Sequence, residues 1–134
     1  MTKSTSNRIF SFVVIFALIA AMALSFAGCA KEEIKSAGTV TITVEVVDDE
    51  GKSIEYKITT EEATLWGALQ QEKLAEGDEG EFGVYIKTVC GIRADYDLDG
   101  AYWGLFKDGE YLMTGAESTP ILDGEHYELV YTEA

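Results

Sequence analysis

The run Asp95-x-Asp97-x-Asp99-Gly100 sets three carboxylates at alternate positions with glycine sixth, the opening of a calcium loop. Position twelve of such a loop, where a bidentate Glu belongs, is Phe106, and the flanks alternate like strands. Two readings follow: a calcium site of another type, or an acidic turn held by its own Asp side chains. Cys90 alternates with Val84 and Ile86 and is expected on an apolar face as packing, because a reactive thiol needs exposed, electropositive surroundings. His126, the one histidine, lies between Glu125 and Tyr127 without a nucleophile beside it, and is expected as an exposed strand residue. No nucleophile, base and orienting partner come together, so no enzymatic reaction is expected. What remains is aromatic: Tyr85, Tyr96, Tyr102, Trp103, Phe106, Tyr111, Tyr127 and Tyr131 all fall in the last fifty residues. Alternation puts Trp103 and Leu105 on one side of a strand and Tyr102 and Phe106 on the other. One set must look away from the core. Rings with one polar end suit the wall of a site for a large flat ligand, or equally a sheet cover or protein contact.

The elements that would position these residues are short. Thr39 to Val47 alternates Val40, Ile42, Val44 and Val46 with polar residues, the period of a half-buried strand. Asp48-Asp49-Glu50-Gly51 is a turn, and Ile54, Tyr56 and Ile58 alternate again, so the two runs are expected to pair as a hairpin. Thr59 and Glu62 have capping-box spacing, and Ala63, Leu65, Trp66, Leu69 and Leu74 give a helical stripe over Glu61 to Ala75. Glu76 to Glu81 is expected to break that helix. Strands follow at Val84 to Ile92, in the run Ala101 to Phe106, at Tyr111 to Met113 and at Tyr127 to Tyr131. The order β-β-α-β-β-β implies an α+β domain, a β-grasp-like mixed sheet covered by one helix.

Residues 1–28 stand apart. Lys3 and Arg8 precede Ile9 to Phe26, eighteen residues without a charge, and the run ends in Phe26-Ala27-Gly28-Cys29. This reads as an export signal, with an uncleaved membrane anchor as the alternative at the lower limit of spanning length. Two small residues before Cys29 resemble the lipobox of bacterial lipoproteins, although Phe26 stands where that pattern prefers Leu. The resemblance implies cleavage before Cys29 and lipidation of its thiol, which would hold the domain by membrane lipid at the extracytoplasmic face of a bacterial cell membrane. Residues 29–38 then form the lipidated cysteine and a tether, and 39–134 the domain. The 134 residues carry 24 acidic and 10 basic side chains, a net charge of −14. The part after residue 28 keeps 8 basic against 24 acidic residues, or −16. Such a surface excludes nucleic acid as a partner, because that binding draws on Lys and Arg against phosphate. Two cysteines make no disulfide framework.

From Gly83 through Thr132 the sequence resembles the C-terminal domain of transcobalamin and intrinsic factor, and its bacterial transcobalamin-like counterparts. The matching runs are Gly83-Val84-Tyr85-Ile86, Val89-Cys90-Gly91-Ile92, Tyr102-Trp103-Gly104-Leu105, Gly115, and Leu122 through Glu128 with Tyr131; Thr64-Leu65 fits as the helix start. In the cobalamin carriers this smaller domain closes over the upper face of the corrin. The resemblance therefore implies cobalamin or another corrinoid as ligand, with Tyr102, Trp103, Gly104 and Leu105 as contacts. Tyr85, Tyr111 and Met113 are added from the sheet reading alone. No segment of these 134 residues resembles the carriers' large helical domain, so the second wall is expected from a partner such as a membrane transporter or another binding domain. The alternative is a cell-surface domain that meets protein or glycan through the same aromatic face.

Overall fold

The computed structural model describes residues 34–134; residues 1–28, expected as an export signal, and Cys29 lie outside them. The alternation that begins at Val40 becomes strand β1 (Val40–Val47), with Val40, Ile42, Val44 and Val46 buried and the intervening residues half-exposed. Asp48 makes the turn: its carboxylate accepts from the Glu50 and Lys52 N–H groups at 2.9 and 2.8 Å. Strand β2 (Ser53–Thr60) returns antiparallel, in register from Val47 opposite Ser53 to Val40 opposite Thr60. The last strand, β8 (His126–Glu133), lies parallel to β1, and β6 (Ala101–Lys107) pairs antiparallel with β8. With the two-residue β7 (Glu110–Tyr111) the order is β2-β1-β8-β6-β7. The buried face carries Val40, Ile42, Val44 and Val46 of β1, with Ile58, Ala101, Trp103, Leu105, Tyr127 and Leu129.

A second layer covers that face. Helix α1 spans only Leu65–Gln71 and buries Leu65, Ala68 and Leu69. Its cap is Thr64, whose hydroxyl accepts from the Gly67 N–H at 3.2 Å. The capping box expected at Thr59 and the helix expected over Glu61 to Ala75 are thus corrected. Thr59 and Thr60 pair with Thr41 and Val40 in the sheet, and ladder pairing outweighs a local cap. The acidic stretch expected as a helix breaker is strand β3 (Ala75–Gly80), paired with β4 (Gly83–Val89), which pairs in turn with β5 (Ile92–Arg93). Among the described residues, the expected single sheet under one helix is therefore a five-stranded and a separate three-stranded sheet, with two short helices and a 3-10 turn at Ala116–Ser118. The α+β class stands. Among the described residues no helix is long and apolar enough to cross a membrane.

A register shift in the β3–β4 pair decides which β4 residues face inward. Glu76 opposes Thr88 and Gly77 opposes Ile86, so Lys87 is an extra residue on β4. One inserted residue exchanges the two faces of everything beyond it. Val89 is consequently buried and Cys90 is exposed in the Cys90-Gly91 turn at positive φ, which corrects its expected place on the apolar face. The free carbonyl of Lys87 accepts from the Ala94 N–H at 2.7 Å. Gly77 is required there, since a Cβ would sit 2.3 Å from the Tyr85 carbonyl oxygen.

Candidate functional site

Strand β6 supplies the floor of a surface hollow of about 220 Å³ through Trp103 and Leu105. Trp103 is only 7% exposed; its ring meets Tyr131 edge-on at 5.6 Å, and its Nε1–H donates to the Ile92 carbonyl at 3.2 Å. One wall is the first half of β4, Val84 to Ile86. The other is β7 with the segment that follows, Tyr111 to Ala116, tied back to β6 by the Leu112 N–H on the Leu105 carbonyl at 2.8 Å. The walls are joined where the Val84 N–H donates to the Glu117 carboxylate at 3.1 Å. Tyr85, Tyr111 and Met113 are exposed around the mouth, Met113 at 90%. Met113, the most exposed of the three, gives the hollow a soft, polarisable rim.

Of the residues singled out in the sequence, Tyr85, Tyr102, Trp103, Leu105, Tyr111 and Met113 all border this hollow. Gly104 does not: it is buried, and a Cβ there would come within 3.0 Å of the Phe106 ring. Trp103 is a core residue forming the floor, not an outward ring. Leu112 and the Thr114–Ala116 segment were missed, because an irregular run has no period to read. Phe106 and Tyr111 stack edge-on at 5.4 Å.

Tyr85 also borders a broader depression of about 380 Å³ edged by Asp78, Glu79, Lys87, Asp95 and Asp97. Lys87 bridges Asp78 at 2.9 Å and Asp95 at 3.3 Å. Asp95 caps helix α2 (Tyr96–Asp99), accepting from the Asp97 and Leu98 N–H groups. The Leu98 N–H, aided by Lys87 and the Asp97 N–H, holds the Asp95 carboxyl below the usual carboxylate range against the opposing effect of desolvation. Asp99 forms a two-pronged pair with Arg93 at 2.9 and 2.8 Å, and that guanidinium, with the Asp95 N–H, lowers its pKa to about 2. Asp95 is thus engaged in a helix cap and Asp99 in an ion pair, while the Asp97 side chain takes part in neither. The three carboxylates do not form a converging ligand group among the described residues.

One such group exists elsewhere. On the outer face of the five-stranded sheet, Glu45 of β1 lies opposite Glu128 of β8, two residues beyond His126. One ligating atom from each of the three lies within 4.8 Å of the others, and all three side chains are half-buried. His126 Nε2 stands 3.4 Å from Glu45 Oε2, shielded from solvent and without a hydrogen-bond partner. His126 was expected as an exposed residue; pairing of the first and last strands encloses it.

No family model matches the sequence, and no curated protein does. Among solved structures, a protein of Ruminococcus gnavus ATCC 29149, named as a candidate metal-binding protein, matches with 34% identity and a TM-score of 0.68. The match covers 71% of this chain and 98% of that one. This chain belongs to the family of that Ruminococcus protein. Haptocorrin in complex with Cbi matches with 19% identity and a TM-score of 0.60, over 75% of this chain. The match spans 27% of the haptocorrin chain. At that identity the likeness is one of fold, and the resemblance to the transcobalamin family holds at that level.

Proposed function

We propose that this domain is a non-catalytic ligand-binding module that presents the rim of Tyr85, Tyr111 and Met113, over the Trp103 and Leu105 floor, to the apolar face of a large flat ligand of the corrinoid class. The observation that carries this reading is the rim itself, in which the exposed side chains of Tyr85, Tyr111 and Met113 border one hollow, whereas the other exposed large apolar residues, such as Phe82 and Leu98, do not line it. The likeness of fold to haptocorrin in complex with Cbi supports it. A hollow of about 220 Å³ is smaller than a whole corrin needs, so the ligand would lie across the mouth with one substituent inside. One covered face implies modest affinity and a second wall from a partner, a transporter or another binding domain. In the same reading Cys29 carries the lipid that holds the domain at the outer face of the membrane.

Isothermal titration of residues 34–134 with cobalamin tests the proposal. Micromolar to millimolar binding that weakens in Tyr85→Ala and Met113→Ala supports it. No heat at millimolar cobalamin counts against it and leaves the face to a protein or glycan. The Ruminococcus protein's name favours a second reading, capture of a divalent cation, which the group Glu45, His126 and Glu128 supports.

A further inference from the structure

We propose that Glu45, His126 and Glu128 form a three-ligand site for a transition-metal ion of the zinc class, on the outer face of the five-stranded sheet and away from the aromatic hollow. The proposal rests on the cation reading above and adds the coordination and the kind of metal. Parallel pairing of β1 with β8 sets Glu45 directly opposite Glu128 and puts His126 in the next row of the same face. Two carboxylates facing each other across neighbouring strands repel, and the sheet supplies no lysine or arginine to either of them. A buried imidazole nitrogen without a partner costs free energy in the same place. A divalent cation answers both at once.

The geometry selects the metal. A tetrahedral zinc site with bonds of about 2.05 Å has ligand-to-ligand edges of about 3.3 Å. His126 Nε2 and Glu45 Oε2 already stand at 3.4 Å, and the third ligand lies within 4.8 Å, which rotation of the Glu128 side chain closes. Calcium takes six to eight oxygen ligands and has little use for an imidazole, whereas nitrogen with carboxylate oxygen suits zinc, cobalt or nickel. Three protein ligands leave a fourth position facing solvent. Ser53, whose hydroxyl donates to Glu45, orients that carboxylate from β2.

Residues 34–134 enclose their own core, and the Ruminococcus protein, matched over 98% of its chain, consists of little else, so this segment folds alone. It is tested carrying Cys90→Ser, which removes its thiol, by calorimetric titration with Zn²⁺ and visible absorption with Co²⁺. One Zn²⁺ per chain is expected, with a four-coordinate Co²⁺ spectrum. His126→Gln and Glu128→Gln should each weaken Zn²⁺ binding about 100-fold and abolish that spectrum, while Asp97→Asn leaves both unchanged. Thermal melts establish that each variant folds, and Glu45→Gln, nearly isosteric, replaces one that does not. If Zn²⁺ binds equally well to the His126 and Glu128 variants, or is lost in Asp97→Asn, this site is wrong and the cation reading survives. If millimolar Zn²⁺ gives no heat with the unaltered domain, both fail.

Discussion

Trp103→Phe separates the structural from the binding role of the hollow's floor. The indole is 7% exposed, donates to the Ile92 carbonyl at 3.2 Å and meets Tyr131 edge-on at 5.6 Å. Phenylalanine keeps a ring in the floor but removes the N–H, leaving the Ile92 carbonyl without that donor, a cost of about 1–3 kcal/mol. The smaller ring leaves roughly 40 Å³ unfilled, which at about 24 cal/mol per Å³ adds about 1 kcal/mol. The sum, about 2–4 kcal/mol, is a large part of the roughly 5–15 kcal/mol that a domain of this size holds. Urea unfolding followed by circular dichroism should show a lower midpoint with an unchanged slope. At about 4–8 °C per kcal/mol, the melting temperature should fall by roughly 10–30 °C. A loss under about 0.5 kcal/mol would refute the assignment of Trp103 to the core and return its ring to the ligand-contact set.

Met113→Ala should leave the melting temperature within about 2 °C of the unaltered domain, because a side chain 90% exposed has no packing to lose; a larger fall in a thermal scan would show that the rim is structural. Gly77→Ala should cost about 2–4 kcal/mol in urea unfolding, since its Cβ would meet the Tyr85 carbonyl oxygen at 2.3 Å and β3 or β4 must move. A neutral substitution would contradict the close approach of the two strands. Asp99 has its pKa lowered from 3.8 to about 2 by Arg93. Its folded value lies below its unfolded one, so its contribution is complete above about pH 4 and is lost as the pH falls through about 2. Stability measured across that window should fall less steeply in Asp99→Asn, and an identical slope would argue against the pair.

How far the fold was legible depended on whether its determinants were local. The alternation of β1 and its hairpin with β2 were readable because each residue's face is set by its immediate neighbours. The capping-box spacing at Thr59 was misleading because the sheet, which no local pattern reveals, claims that threonine. β3 reads as a loop from Glu, Gly and Asp alone; only backbone pairing with β4 makes it a strand. Cys90 was placed on the wrong face by a single extra residue at Lys87, a feature of register instead of composition. Six of the residues picked for the aromatic site do border one hollow: β6 alternation accounts for Trp103 and Leu105 and the turn after β7 for Tyr111 and Met113, whereas Tyr102 and the β4 residue Tyr85 border it without alternation along β6 predicting it. Gly104 falls on the opposite side of that same strand. Glu45, His126 and Glu128 were invisible as a set, since their meeting requires the first strand to lie parallel to the last.

The most direct measurement of the central claim is an amide chemical-shift map of ¹⁵N-labelled residues 34–134 as cobalamin is added. Shifts concentrated at Tyr85, Tyr111, Met113 and Thr114, with those of β1 and β2 unmoved, are the predicted result. Shifts scattered over the surface, or none at millimolar ligand, would contradict a binding face at this hollow.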